Sequence, residues 1–447
     1  MTLRCALALA LSSGVLVVAC HRTDPDKARQ KAEFERVRAA YEKRVAEQKR
    51  ATAKPATARA ARATGAATAG DGGDVPAQVP ASTTPAPARG DAPWIADVPV
   101  DIAARAQATA TSRGVVMNTR DGELVVARLG KLAHGGAPAK TPVEPTPEGA
   151  GNFGLGYGPS VLDDVVYWIS HGSLVRRQLP AHGAPGPLQV LARDAFDGTR
   201  VAVPIPIPGK TPLPIPATVA YVVRPAKDDD PLLAKLWVDG HDAELLTAEG
   251  NSTHSVALVH TEDGVLALSV QARMAMTPVH ARRVRFPGGH PLLGDDTVVW
   301  VGGGIQSLTE MTVLPTETGL VGLIPHERSM SEFGIARLDI GQSPTMDTPT
   351  SWMLYPNGID PAPVAASRLC GEPVFFYAQP ETRVPGSPQE LVVQALSDPS
   401  GNRALRITTG HVFYFVSMAE VPGGALLAWV TDGVTAACTV RCQTHAK

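Results

Sequence analysis

The chain from Trp94 onward is a succession of short runs rich in β-branched and aromatic residues. The runs cover residues 114–117, 123–127, 165–169, 219–223, 265–270, 297–301, 320–324, 373–377, 391–395, 411–416 and 425–430. Asp-Gly pairs, which favour turns, lie at 121–122, 197–198, 239–240, 263–264 and 432–433. Short runs bounded by such turns are typical of β-strands and hairpins, and no long amphipathic helix intervenes. The pattern predicts an all-β fold of the sandwich, barrel or propeller type.

Residues 94–447 are too many for one sandwich, and this length favours a repeated architecture. Internal sequence similarity supports repetition, because Leu162–Trp168 resembles Leu293–Trp300. A glycine turn and a second strand follow each of these segments. The second strands are Ser173–Leu179 and Gln306–Leu314. Looser copies of the plan lie at residues 371–377 with 390–396, and at 423–430 with 435–440.

The first copy, Asp163–Trp168 followed by Gly172–Arg177, resembles the strand–turn–strand of YWTD-type and NHL-type β-propeller repeats. The resemblance implies a β-propeller over residues 94–447. The repeated segments are about 45 to 55 residues apart, which suggests six or seven blades. If the ring closes with strands from both termini, Gly114–Met117 should share a blade with Ala425–Val440. The stretch Val201–Pro216 breaks the period. Its alternating prolines exclude a central strand and predict an edge strand or an insertion between blades.

The N-terminus predicts export and lipid anchoring. Arg4 precedes an uncharged apolar run from Cys5 to Val18, which is too short to span a bilayer comfortably and has the form of a secretory signal. The run ends in Leu16–Cys20, Leu-Val-Val-Ala-Cys, which resembles a bacterial lipobox. The resemblance implies that residues 1–19 are removed and that Cys20 is acylated, palmitate being one such acyl group. His21 is not the aspartate that retains enteric lipoproteins at the inner membrane, so we favour the outer membrane.

Two segments connect the predicted anchor to the predicted body. Residues 20–50 contain the lipidated cysteine and one charged helix, with opposite charges four residues apart at Lys31 and Glu35 and at Arg38 and Glu42. Residues 51–93 are rich in Ala, Thr and Pro and contain no aromatic residue, so they cannot bury enough surface to fold and predict a disordered tether.

Charge is distributed unevenly along the chain. Residues 21–93 hold 14 Lys and Arg against 9 Asp and Glu, whereas residues 94–447 hold 26 against 34. An acidic body disfavours nucleic acid, because nucleic-acid affinity depends on neutralising phosphates. The expected partners are therefore the membrane, through the lipid anchor, and an envelope protein or glycan.

Three cysteines remain in the predicted mature body: Cys370, Cys438 and Cys442. An exported protein can form disulfides, and an odd number of cysteines leaves one thiol free. Cys438 and Cys442 would lie roughly 13 Å apart in a continuous strand, so they can pair only through a turn. We slightly favour this pair, and Cys370 is the alternative partner if its blade is a neighbour. No histidine lies at zinc-ligand spacing from them.

Motifs that carry catalysis or bind cofactors are absent from the sequence or lie in the wrong context. Gly149–Gly154 matches G-x-G-x-x-G, but prolines and glycines surround it where a strand and a helix are needed. The spacing of His254, His260, His280 and His290 fits neither strand nor helix ligands, and the acidic stretches 194–198 and 228–230 lack the order of a calcium loop. G-x-S-x-G, S-x-x-K and H-E-x-x-H do not occur. We therefore predict no cofactor, metal or catalytic residue.

Two functions fit these observations. The favoured one is a non-catalytic lipoprotein of the cell envelope that presents a β-propeller for binding a protein or a glycan. The alternative is a tethered hydrolase or lyase that acts on envelope polysaccharide through carboxylates at a central channel. The missing catalytic motifs argue against an enzyme, although the fold alone does not decide the function.

Overall fold

A computed structural model describes most of the chain between residues 92 and 443. The residues described are 92–97, 99–102, 104–111, 114–119, 124–127, 141–142, 159–196, 199, 201–211, 213–223, 227, 230–247, 251–272, 276–303, 311–317, 319–329, 332–341, 348, 350–354, 364–380, 389–409, 412–431 and 434–443. They belong to one compact unit, residues 85–447. The predicted signal peptide (1–19), Cys20 with the charged helix (20–50) and all but the last two residues of the tether (51–93) lie outside them. No helix among the described residues is long and apolar enough to cross a membrane.

The described residues form 29 β-strands and one short 3-10 helix at Pro287–Gly289, so the all-β prediction is confirmed. The first two strands are β1 (Trp94–Ala96) and β2 (Val100–Ile102). Sheet I follows, with β3 (Ala104–Thr111), β4 (Gly114–Thr119), β5 (Leu124–Ala127) and β6 (Thr141–Pro142). Sheet II contains β7 (Ser160–Leu162), β8 (Val165–Ser170), β9 (Ser173–Gln178) and β10 (Gln189–Ala192).

The middle of the chain forms two further sheets. The short strand β11 (Pro204–Pro206) precedes both of them in sequence. Sheet III contains β12 (Thr218–Val223), β13 (Leu233–Val238) and β14 (Glu244–Leu245). Sheet IV contains β15 (Ser252–Thr261), β16 (Gly264–Ala272), β17 (Met276–Arg285) and β18 (Leu292–Gly303), with β11 added at its edge.

The last part of the chain completes three sheets. Sheet V contains β19 (Thr312–Thr316), β20 (Gly319–Ser329), β21 (Glu332–Ile340) and β22 (Thr350–Leu354). Sheet VI contains β23 (Val364–Leu369), β24 (Glu372–Pro380), β25 (Gln389–Ala395) and β26 (Leu405–Thr409). Sheet VII contains β27 (Val412–Val421), β28 (Gly424–Thr431) and β29 (Val434–Cys442), and β1 and β2 both pair with β29.

Local sequence explains the strands and their turns. In β12 the run Thr-Val-Ala-Tyr-Val-Val is almost wholly buried, because apolar clusters cover both faces of the sheet and the usual alternation with polar residues is lost. Asp163 and Asp164 both adopt positive φ between β7 and β8, which suits a tight hairpin turn. At the predicted Asp-Gly turn before β16, a side chain on Gly264 would collide with the carbonyl of Val284.

Each sheet packs against the next one along the chain. A buried apolar cluster lies between each pair of successive sheets, from I and II to VI and VII. In that order, two central residues of each cluster are Val116 and Trp168, Tyr167 and Trp237, Leu236 and Leu258, Leu268 and Ile324, Leu323 and Phe375, and Phe376 and Trp429. Strands β27 and β28 of sheet VII contact β3 of sheet I. The succession of contacts therefore returns to its starting point.

The termini meet in sheet VII, but not through the strand expected from the sequence. Gly114–Met117 lies in β4, which pairs with β3 and β5 inside sheet I. The partners of the C-terminal strands come from further upstream, since Trp94 pairs with Cys442 and Val100 with Ala437. The prediction was wrong because strands β3 to β6 fill a sheet of their own and leave the residues before them to join β29.

Candidate binding cleft

The structure joins Cys370 to Cys442 in a disulfide, with their Cα atoms 5.9 Å apart, and leaves Cys438 as a buried free thiol. Cys370 lies in the turn between β23 and β24, so the bond connects sheet VI to sheet VII. The slightly favoured pair Cys438–Cys442 does not form, because β29 continues without a turn through both residues. Burial raises the pKa of the Cys438 thiol to about 12.

The histidines considered as metal ligands lie at separate places. His254 is in β15, His260 binds the Leu213 carbonyl, His280 lies beside Asp296, and the ring of His290 lies 4.6 Å from that of His241. Within the described residues no group of three His, Cys, Asp or Glu side chains could hold a metal ion. The G-x-G-x-x-G stretch at 149–154 lies outside those residues.

The acidic stretches examined for calcium make other contacts where they are described. Asp194 accepts hydrogen bonds from Lys235 Nζ at 2.6 Å and from the Tyr221 hydroxyl at 2.9 Å. Burial alone would raise the pKa of this carboxyl, but the hydrogen bonds from Lys235 and Tyr221 lower it. Asp230 accepts a hydrogen bond from the backbone N–H of Lys227, as in a turn.

A cleft of about 590 Å³ opens beside sheet II. It is lined by Leu162, Asp163, Val165, Tyr167, Arg176, Arg177, Gln178, Pro187, Gln189, Leu213–Ala217 and His260. The lining mixes cationic, amide and apolar side chains, which is the composition of a site that recognises a partly polar ligand.

Strand register places the polar floor of the cleft. Tyr167 of β8 lies opposite Arg176 of β9, and Arg176 lies opposite Gln189 of β10. Directly opposed residues share a face of a sheet, so the phenol, the guanidinium and the amide form one row across sheet II. The arrangement requires no long-range adjustment, because three consecutive strands supply it.

The opposite wall is the C-terminal part of a proline strap, which we define as residues 201–217. Its strand β11 pairs in parallel with β15 at the edge of sheet IV, which confirms the predicted edge strand. His260 Nε2 donates a hydrogen bond to the Leu213 carbonyl at 2.7 Å, and Lys210 forms an ion pair with Glu262 at 2.8 Å. These contacts hold the strap across the end of the cleft, where the side chain of Leu213 remains 50% exposed.

Four neighbours surround the guanidinium of Arg176. Its Nε donates to Gln189 Oε1 at 2.7 Å, its carbon lies 5.3 Å from the ring centre of Trp237, and Nη2 lies 3.6 Å from Asp239 Oδ1. Arg176 also hydrogen-bonds the phenol of Tyr167. Burial raises the pKa of that phenol and the bond from Arg176 opposes the rise, so Tyr167 is neutral at pH 7.

No residue of this cleft was predicted from the sequence as part of a binding site, and His260 was considered only as a metal ligand. Tyr167 and Arg176 belong to the propeller-like repeat, but nothing in the repeat distinguishes them as cleft residues. Gln189, Leu213 and Trp237 carry no motif. Their proximity depends on how the strap and sheets II and III pack, which local patterns do not encode.

Comparisons with known proteins add no family assignment. No protein-family model and no curated protein matches the chain. Among solved structures, the chain is similar to the N-terminal domain of Nup159, with 10% identity and a TM-score of 0.39 over 76% of this chain and 91% of that one.

Proposed function

We propose that residues 92–443 form a closed seven-bladed β-propeller. Seven sheets follow one another along the chain, and each shares a buried cluster or direct strand contacts with the next. Sheet VII combines N-terminal and C-terminal strands, which is how a ring of repeated sheets avoids two open ends. The YWTD-like and NHL-like repeat supports the same architecture.

We propose further that the protein is a lipid-anchored lipoprotein of the cell envelope and acts as a binding module without catalytic activity. The lipobox-like sequence ending at Cys20 supports the anchor, and His21 after it supports an outer-membrane location. The tether gives the body reach from the bilayer. The ligand is an envelope protein or glycan.

The cleft beside sheet II is the observation that carries the binding function. It combines a row of polar side chains fixed by strand register with an apolar wall held by its own hydrogen bonds. A largely preformed site loses little conformational freedom when a ligand binds, and this favours affinity.

A photo-crosslinking amino acid at position 213 tests the binding function. Leu213 is 50% exposed and lines the cleft, whereas Leu292 is 57% exposed on β18 and serves as the matched control. We expect a discrete adduct from the 213 variant in envelope extract and none from the 292 variant. Equal adducts would contradict a role for the cleft, and release of sugar from envelope polysaccharide would favour the hydrolase or lyase alternative.

The anchor is tested by Cys20→Ala. Each acyl methylene buried in a bilayer contributes about 0.8 kcal/mol, so several chains on one cysteine give stable anchoring. In detergent phase partition the wild-type protein should enter the detergent phase and the variant the aqueous phase. Equal partition of the two proteins would remove the lipoprotein proposal and leave the cleft proposal intact.

A further inference from the structure

We infer that the cleft recognises a single carboxylate within an otherwise apolar peptide segment, and that this carboxylate takes the place of Asp239 beside Arg176. The inference rests on the proposed binding function and specifies its ligand. The positions of Arg176, Asp239 and the strap carry it.

The guanidinium of Arg176 is oriented by its neighbours so that it can bind an anion. Gln189 fixes Nε, Trp237 supports one face of the group, and the side chain is 22% exposed. An arginine whose rotamer is set by neighbours has already lost most of its side-chain entropy, so an incoming carboxylate gains a directed charged hydrogen bond at low cost.

Asp239 is an exchangeable partner for this guanidinium. It lies in the turn after β13, its side chain is 54% exposed, and the contact with Arg176 is 3.6 Å long. Exposed ion pairs of this kind contribute little to stability. A ligand carboxylate that reaches Arg176 can therefore displace Asp239, which then turns to solvent.

The rest of the lining favours a peptide over a sugar. The aromatic rings nearest Arg176 are buried, with Tyr167 2% and Trp237 8% exposed, so neither offers an open face for stacking a sugar. The exposed wall is apolar instead: Leu213 is 50% exposed, and its neighbour Pro214, which also lines the cleft, is exposed as well.

Charge limits the ligand to one acidic residue. The second lining arginine, Arg177, donates its Nε to the Gly186 carbonyl. Asp163 and Asp239 both lie at or beside the cleft, and their carboxylates repel a run of negative charge. One glutamate or aspartate flanked by leucine and proline matches both the charge and the apolar wall.

Fluorescence anisotropy with a short labelled peptide, one glutamate flanked by leucine and proline, tests this assignment against the same peptide carrying glutamine. We expect the glutamate peptide to bind about tenfold more tightly, because only its carboxylate makes a charged contact with Arg176. Arg176→Gln should abolish the difference. Arg176→Lys should lose most of it, because a lysine has no planar fork. Arg403→Gln, an exposed arginine in the turn before β26, should leave it unchanged.

The Asp239→Asn variant distinguishes competition for Arg176 from a merely structural ion pair between Asp239 and Arg176. Removing the internal competitor should tighten the glutamate peptide about threefold to tenfold, and the exposed position leaves folding intact. Equal binding of both peptides, or weaker binding to Asp239→Asn, would overturn the inference.

A glucuronate trisaccharide distinguishes the ligand classes. If it competes for the 213 adduct and the glutamate peptide does not, the peptide assignment is wrong while the binding cleft stands. If the 213 variant yields no adduct, the proposed function itself fails.

Discussion

Replacing Trp94 with alanine is expected to lower the free energy of unfolding by about 3–5 kcal/mol, the usual cost of truncating a buried tryptophan. Trp94 is 3% exposed and packs in the cluster that contains Trp429, between sheets VI and VII. Among the described residues its strand pairs only with β29, so the indole is a principal contact of this strand with the rest of the sheet. Urea-induced unfolding followed by tryptophan fluorescence and circular dichroism measures the loss.

Ile95→Ala is the matched control. Ile95 is the next residue on the same strand but is 50% exposed, so its truncation should change the free energy of unfolding by no more than about 0.5 kcal/mol. Similar losses from both variants would mean that β1 is not packed through Trp94, and would remove the main support for closure through sheet VII.

Breaking the Cys370–Cys442 bond should cost a similar amount. The bond closes a loop with a sequence separation of 72 residues, and restricting the unfolded chain over such a loop stabilises the native state by about 4 kcal/mol. The double variant Cys370→Ser, Cys442→Ser should therefore unfold at lower urea concentration, and a reductant should have no further effect on it. The wild-type protein should shift toward the variant when reductant is added.

Cys438 provides the control and an independent count. Cys438→Ala keeps the disulfide, so reductant should still destabilise this variant. Because burial raises the thiol pKa to about 12, Cys438 should not react with thiol reagents in the folded mature protein, and one thiol should react after denaturation without reductant. Three reactive thiols under that condition would contradict the disulfide.

The sequence predicted the strands better than their assignment to sheets. Segments 165–169, 373–377 and 425–430 lie in β8, β24 and β28, and each is followed by a further strand of the same sheet, as the repeat indicated. Leu293–Trp300, however, lies in β18, the last strand of sheet IV, although its sequence resembles Leu162–Trp168. A buried strand needs the same residue types wherever it sits in a sheet, so composition cannot give its rank.

The cleft and the disulfide could not be predicted for a related reason. The cleft depends on residues from five separate segments, among them those of Tyr167, Arg176 and Leu213. The disulfide joins a turn of one sheet to the end of a strand in the next. Both depend on how successive sheets are placed side by side, and this is decided by side-chain packing rather than by periodicity.

The pairing of β1 with β29 has a consequence for the order of events during synthesis. Asp97 and Arg441 form an ion pair across 344 residues of sequence, so the first strand is made long before its partner exists. At a synthesis rate of about 5–20 residues per second, the wait is roughly 20–70 s. Throughout that time Trp94 lacks the surface that will bury it, and the backbone N–H and C=O groups of its strand lack their partners in β29. A strand with an unpaired edge is prone to aggregate. Sheet VII therefore cannot be completed before the C-terminal strands have been made, and until then the strand that contains Trp94 must be kept from pairing with other chains.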